Sequence, residues 1–153
     1  MKEVIRELEE IVGRDFVITK KEQMESYLFD ETSMPVRPKP SLSCIVVKPE
    51  NSEQISRILK LANQKRIPVY PRGGGTGLVG GAVPTKDGII VSLERMKHIE
   101  IDKDNLIAVA EAGVTLGELL KAVEESGLSF PPHPGDEGAQ VGGLVACNAG
   151  GAR

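Results

Sequence analysis

Residues 71–81 read Pro-Arg-Gly-Gly-Gly-Thr-Gly-Leu-Val-Gly-Gly, and six of these eleven positions are glycine. A glycine costs roughly 0.5–1 kcal/mol of backbone entropy in regular structure, so such a concentration calls for a reason. A curved row of backbone N–H groups binds anions, and glycine leaves that backbone bare. Arg72 adds a guanidinium that could neutralise diphosphate charge. The segment therefore predicts a phosphate-binding loop, which we call the glycine loop (residues 71–81).

Residues 75–80 of the glycine loop also satisfy the pattern G-x-G-x-x-G, which is typical of nicotinamide-binding Rossmann turns. Such a turn needs a helix that begins within the glycines, whereas Gly81-Ala-Val-Pro and then a strand follow here. A P-loop needs Gly-Lys-Ser/Thr at its end, and Leu78-Val79-Gly80 does not match it. Two interpretations remain: a loop that holds phosphates by its amides alone, or a flexible turn without a ligand.

The flanking sequence predicts the elements that position this loop. Apolar residues at helical spacing, capping boxes at Asn51 and Thr115, and short apolar runs indicate alternating helices and strands. We expect a short parallel sheet flanked by helices, then a meander and a helix, which is an α+β or mixed α/β fold. Beyond Ser129 no regular pattern is visible. The predicted helices are 4–12, 20–29, 52–65 and 115–126, the strands are 43–48, 67–70, 88–93, 99–101 and 106–110, and residues 32–40 form an extended crossing.

Composition excludes several classes of function. Aromatic residues make up 3% of the 153 residues and the net charge is −3, which argues against nucleic acid as a partner. No apolar stretch is long enough to cross a membrane, and the charged N-terminus does not resemble a signal peptide. Cys44 and Cys147 are expected to be buried free thiols in a cytoplasmic protein. Two histidines without companion ligands do not suggest a metal site.

Several motifs agree in order and spacing with one flavoprotein family. With the glycine loop, they resemble the FAD-binding domain of the vanillyl-alcohol oxidase/p-cresol methylhydroxylase flavoproteins, N-terminal portion only. Within it, the chain is most similar to the branch of the glycolate oxidase FAD subunit and the D-lactate dehydrogenases. On this resemblance, residues 1–40 are an N-terminal helical and crossing segment, and residues 41–153 begin the FAD-binding domain. The motifs are residues 71–82, 88–96, 111–115, 130–135, 142–143 and 148–152.

The resemblance implies FAD as cofactor and assigns residues to it. The glycine loop would wrap the FAD pyrophosphate, residues 132–135 would pass the flavin ring, and residues 142–151 would continue the cofactor cleft. Relatives with covalent FAD carry a histidine near the position of Thr76, so we expect non-covalent FAD. The implied cofactor-binding residues are Arg72, Gly73, Gly74, Gly75, Thr76, Gly77, Leu78, Pro132, His133, Pro134, Gly135, Gly142, Gly143, Asn148, Gly150 and Gly151.

The resemblance further implies hydride transfer from a small 2-hydroxy acid, such as glycolate or D-lactate, to the flavin. Family members are much longer, so we expect about half of a cofactor site and no substrate site here, and no catalytic residue is assigned. The chain is then part of a longer protein, a truncated reading frame, or a subunit completed by another chain. The alternative is a non-catalytic module that binds FAD or a nucleotide.

Other candidate residues have simpler interpretations. We expect His133 to contact flavin rather than transfer protons, and Asp136 and Glu137 to be solvated. Cys147 is interpreted as a small buried apolar residue. The remaining charged candidates are interpreted as surface residues around a turn: Glu94, Arg95, Lys97 and His98.

Overall fold

The computed structural model describes residues 2–151, and a four-stranded sheet stands at its centre. The strand order is β1-β2-β4-β3; β2, β4 and β3 run parallel, and β1 pairs antiparallel with β2. These strands are β1 (Val17–Ile18), β2 (Ile45–Val47), β3 (Val69–Arg72) and β4 (Ile89–Ser92). Parallel strands bring their carboxyl ends to one edge, so the glycine loop, which follows β3, leaves the sheet at that edge.

Helices cover both faces of this sheet. The first helices are α1 (Lys2–Val12), α2 (Lys21–Leu28) and α3 (Ser52–Lys65), with a short 3-10 helix over Arg14–Phe16. Alternate residues along β2 point to opposite faces: Ile45 and Val47 pack with α1 and α3, whereas Val46 packs with α2. The crossing at residues 32–40 then brings the chain from α2 to β2, but it is not extended throughout, because the Val36 N–H donates to the Ser33 carbonyl at 3.1 Å in a turn at residues 34–36. Residues 2–40 therefore share their core with the later sheet.

A second unit follows the sheet and carries the predicted meander. It contains the hairpin of β5 (Ile99–Asp102) and β6 (Ile107–Ala110), then α4 (Leu116–Glu125) and α5 (Val141–Ala146). Its core consists of Val114, Leu119 and Val123, with hairpin residues packed against them. Gly113 joins this unit to the sheet, because its N–H donates to the Met96 carbonyl at 3.0 Å and a Cβ there would overlap the Leu93 carbonyl.

The predicted fold class and the helices and strands preceding residue 129 are confirmed, including both N-caps. The sequence analysis missed β1 and the 3-10 helix, which are too short to show periodicity. Two predictions about later residues are also wrong. Val141–Ala146 is helical rather than irregular, and Cys147 is exposed, whereas Cys44 is buried as expected. Among residues 2–151, no helix has the length and apolarity that crossing a membrane requires.

Candidate functional site

The glycine loop presents unpaired backbone donors. The seven consecutive N–H groups of residues 73–79 donate no hydrogen bond to any other residue within 2–151. Gly74 and Gly77 are exposed, and Leu78 and Val79 at the tip expose 67% and 89% of their surface. Such a run of free, accessible amides between two strands is the structural requirement of an anion cradle. The interpretation as a flexible turn without a ligand does not explain the contacts that hold both ends of the glycine loop.

Two glycines in this loop adopt backbone conformations that other residues avoid. Gly75 and Gly80 both have φ of 76°. A Cβ at Gly75 would overlap the Arg72 guanidinium, and one at Gly80 would lie 2.7 Å from Cγ of Pro38. At these two positions glycine is required both by its dihedral angle and by its neighbours.

Arg72 is the last residue of β3, and its side chain lies against Gly75 of the glycine loop instead of at an open entrance. Its side chain is 6% exposed, and its Nη2 donates to the Ser26 carbonyl at 2.8 Å. The guanidinium also lies 5.9 Å from the ring centre of Tyr27, while Nη1 is buried without a partner among residues 2–151. Burial lowers the pKa of Arg72 from its usual value. The buried Arg72 guanidinium therefore supports the loop by packing against Gly75.

Asp30 brings a buried carboxylate to the other side of the loop. It is 6% exposed, and its Oδ1 accepts the Thr32 N–H at 3.1 Å. Burial alone would raise the pKa of Asp30, but hydrogen bonds from Thr32 and nearby backbone amides hold that pKa below its usual value. Its Oδ2 is buried without a partner among the described residues, on the side of the loop where Gly77 lies. No signal in residues 20–40 had singled it out.

The second glycine-rich region approaches the glycine loop through residues 138–140. A Cβ on Gly74 would lie 3.1 Å from the Gly138 carbonyl, and one on Gly73 would lie 3.4 Å from Oε1 of Gln140. Gln140 is buried, and its Oε1 has no partner among residues 2–151. The structure thus brings the glycine loop beside this region, at residues that the sequence analysis had not selected.

The segment predicted to pass the flavin ring, residues 132–135, lies beside α4. His133 is half-buried, and its Nε2 lies 3.2 Å from Oε1 of Glu137. Both line a cleft of about 320 Å³ beside α4, with Phe130 and Glu124. A Cβ on Gly151 would overlap the His133 carbonyl, so Gly151 packs on this segment. Of the remaining predicted residues here, Pro132 and Gly135 are exposed and Pro134 is half-buried.

Helix α5 contains Gly142 and Gly143, and tertiary contacts explain why it forms. Glycine disfavours helices, but the first amides of α5 have partners outside it: Val141 N–H donates to the Val114 carbonyl and Gly142 N–H to the Ala112 carbonyl. The helix ends at Ala146, and Asn148, two residues later, has a φ of 49°, a left-handed conformation that asparagine tolerates. Gly150 is exposed beyond it.

A polar network that the sequence analysis had interpreted as surface charge lies at the same sheet edge. Glu94 accepts hydrogen bonds from Tyr27, Ser92 and Lys48, at 3.0, 2.8 and 2.7 Å. Burial alone would raise the pKa of Glu94, but these three donors hold it below its usual value. Arg95 stacks on Phe16 and donates to the Lys48 carbonyl at 2.8 Å. The network fixes the turn that follows β4.

Comparison with known proteins identifies the family to which this chain belongs. The family model described as FAD binding domain matches residues 44–153. The chain belongs to this FAD-binding domain family. Relatives include the D-lactate dehydrogenase of Archaeoglobus fulgidus, 57% identical over 129 residues, which are 84% of this chain and 29% of that protein. Glycolate oxidase subunit GlcD of Bacillus subtilis is 40% identical over 115 residues, 74% of this chain and 24% of that protein.

A solved structure shows the same fold. The crystal structure of p-cresol methylhydroxylase with substrate bound matches with a TM-score of 0.77 at 24% identity, over 94% of this chain and 28% of that one. The resemblance drawn from the motifs is therefore confirmed at the level of family and fold. This chain spans less than a third of the length of each of these relatives.

The observed loop fits the cofactor of its family. The diphosphate of FAD is an anion that needs several donors at close range, and the glycine loop offers seven free amides over a buried guanidinium. The loop's glycines also leave the space that a ligand's close approach requires. Contacts between FAD and the individual residues named from the sequence stay predictions.

Proposed function

We propose that this chain is the FAD-binding portion of a flavin-dependent oxidoreductase that oxidises a small 2-hydroxy acid such as glycolate or D-lactate. The single observation that carries FAD binding is the run of free amides at residues 73–79. The names of the relatives, D-lactate dehydrogenase and glycolate oxidase subunit, support the substrate class. When bound, FAD supplies the two-electron acceptor for hydride from the substrate carbon.

The chain's own part in this function is to hold and orient the cofactor. The amides of the glycine loop would bind the diphosphate, and the buried Arg72 side chain would hold the loop in place through its packing against Gly75. His133 and the cleft beside α4 would lie along the flavin side, with Glu137 restraining the imidazole. No residue of this chain is assigned to proton abstraction from the substrate.

We further propose that FAD is held without a covalent bond. The glycine loop contains no histidine, cysteine or tyrosine, and Thr76 stands where relatives with covalent FAD carry a histidine. Acid precipitation of the FAD-loaded protein should therefore release all flavin into the supernatant. Yellow colour that stays with the precipitated protein would overturn this part of the proposal.

Titration of the purified chain with FAD tests the binding function. We expect quenching of flavin fluorescence and flavin absorbance that survives desalting. We also expect that neither D-lactate nor glycolate bleaches this flavin under anaerobic conditions, because the chain supplies no acid–base group for the substrate. Absence of any FAD binding would overturn the proposal for this chain.

A chimera tests separately whether this chain supports turnover as the FAD-binding portion of a 2-hydroxy-acid dehydrogenase. This chain would replace the matching part of the Archaeoglobus fulgidus D-lactate dehydrogenase, to which it is 57% identical. Anaerobic D-lactate or glycolate should bleach the flavin of the chimera, and an acid without the 2-hydroxyl, such as propionate, should not. Flavin that binds but is bleached by no 2-hydroxy acid would favour the second candidate, a module that binds FAD without turnover.

A further inference from the structure

Residues Asp30–Pro38, which we call the N-terminal clamp, lie against the far end of the glycine loop. The Glu31 N–H donates to the Gly77 carbonyl at 3.0 Å, and the Gly80 N–H donates to Oγ1 of Thr32 at 2.6 Å. The Pro38 ring lies so close to Gly80 that any Cβ there would clash with it. Three contacts thus hold the end of the loop that is farthest from β3.

The N-terminal clamp is itself held in one conformation. Thr32 is 2% exposed and engages through three atoms: its N–H donates to Asp30, its Oγ1 accepts from Gly80, and its carbonyl accepts from Nε of Arg37 at 2.7 Å. The Arg37 guanidinium in turn lies 5.3 Å from the ring centre of Phe29. A residue fixed at its backbone amide, its backbone carbonyl and its side-chain hydroxyl cannot follow a moving loop, so it restrains the loop instead.

The near end of the glycine loop is restrained by different groups. Arg72 supports Gly75 from beneath while it donates to the Ser26 carbonyl. Gly74 packs against the Gly138 carbonyl. The unpaired amides of residues 73–79 lie between these anchors and the N-terminal clamp, so the donors are ordered although they bond to no described residue.

We propose that the N-terminal clamp preorganises the glycine loop for the diphosphate, with Thr32 as a positioning residue. The inference rests on the proposed FAD binding, and it adds a segment outside residues 44–153, the span that the family model matches. Ordering a residue's backbone costs conformational entropy, and glycine loses the most of it. A clamp that orders the loop during folding removes that cost from binding.

Substitution of the Thr32 hydroxyl tests the clamp. Thr32→Val keeps the shape but removes the acceptor of the Gly80 N–H, and we expect its FAD dissociation constant to rise about tenfold. Thr32→Ser keeps the acceptor and should stay within about threefold of the parent. Asn51→Ala is the matched control, because Oδ1 of Asn51 likewise accepts a backbone N–H, that of Gln54 at 2.9 Å, at the start of α3. It should leave FAD affinity unchanged.

Melting curves of the FAD-free proteins are measured together with the FAD titrations. Each possible outcome supports or overturns the proposal. Equal affinity of the parent and Thr32→Val overturns the clamp but leaves FAD binding intact. Equal losses in Thr32→Ser or Asn51→Ala mark general destabilisation and also overturn it. A parent that binds no FAD overturns the proposed function and the clamp together. If Thr32→Val does not fold, Pro38→Ala replaces it, with an expected loss of about threefold; unchanged affinity there overturns the clamp.

Discussion

The glycine loop and the second glycine segment (residues 132–151) both contain six glycines, yet glycine serves different purposes in them. In the glycine loop, Gly75 and Gly80 have positive φ, and the backbone keeps its donors free. In the second glycine segment, Gly135 also has positive φ, Gly142 and Gly151 admit a neighbouring segment of the same chain, and Gly143 and Gly150 have no atom within 4 Å of an added Cβ. The run of seven consecutive free donors, rather than glycine abundance or positive φ, therefore distinguishes the glycine loop.

The largest expected effect concerns Gly75. Gly75→Ala should weaken FAD binding by at least about 100-fold, near 2.7 kcal/mol, because its φ of 76° disfavours alanine and its Cβ would displace the buried Arg72 guanidinium. Fluorescence titration of FAD measures this loss.

Gly143→Ala is the matched substitution in the second glycine segment. Alanine favours the helix by about 0.5–1 kcal/mol and meets no neighbour, so we expect slightly higher stability and a far smaller change of FAD affinity than in Gly75→Ala. A loss of affinity as large as that of Gly75→Ala would remove the contrast and support the predicted cofactor contact of Gly143.

The next effect tests whether Gly142 is a packing residue. Its Cβ would lie 2.7 Å from Cβ of Ala112, so Gly142→Ala should lower the free energy of unfolding by about 1–3 kcal/mol. Urea unfolding without FAD measures the change. Adding Ala112→Gly should recover part of the loss, since the two positions are in contact. An unchanged unfolding midpoint in the single variant would contradict the close approach.

A smaller effect tests how Arg72 acts. Arg72→Met should raise the FAD dissociation constant about tenfold through loss of loop support, with the same dependence on salt as the parent. The guanidinium is buried and donates to the Ser26 carbonyl, so it is not in ionic contact with solvent. A clearly weaker salt dependence in the variant would instead mean that Arg72 contacts the diphosphate directly.

The smallest effect concerns the Glu94 network beside the glycine loop. Because the folded-state pKa of Glu94 lies below its usual value, its contribution to stability is present above that usual value, near pH 4.3, and is lost as pH falls through the folded pKa. Glu94→Gln should therefore flatten the loss of stability below about pH 4.3. Superimposable acid-unfolding curves for the parent and the variant would show that the network contributes nothing measurable.

Sequence patterns predicted those helices and strands whose stabilising signals lie within the segment itself. The helix over Ser52–Lys65 has a side-chain cap at its start and apolar residues at helical spacing, and both signals lie within the segment itself. The strand runs of β2 and β4 are equally self-contained. By contrast, α5 depends on the carbonyl groups of Ala112 and Val114, about thirty residues earlier in the chain, and no local pattern reports such partners.

The sequence by itself determined the family, the fold class and the glycine loop, because glycine content, helix caps and the succession of helices and strands along the chain depend on neighbouring residues. The tertiary structure alone decided that Arg72 supports the loop from below and that Asp30 and Thr32 belong to the site. Those placements depend on contacts between residues more than forty positions apart in the chain, as with Thr32 and Gly80. Burial and partner geometry arise only when such segments pack together, so residue type and local spacing did not reveal them.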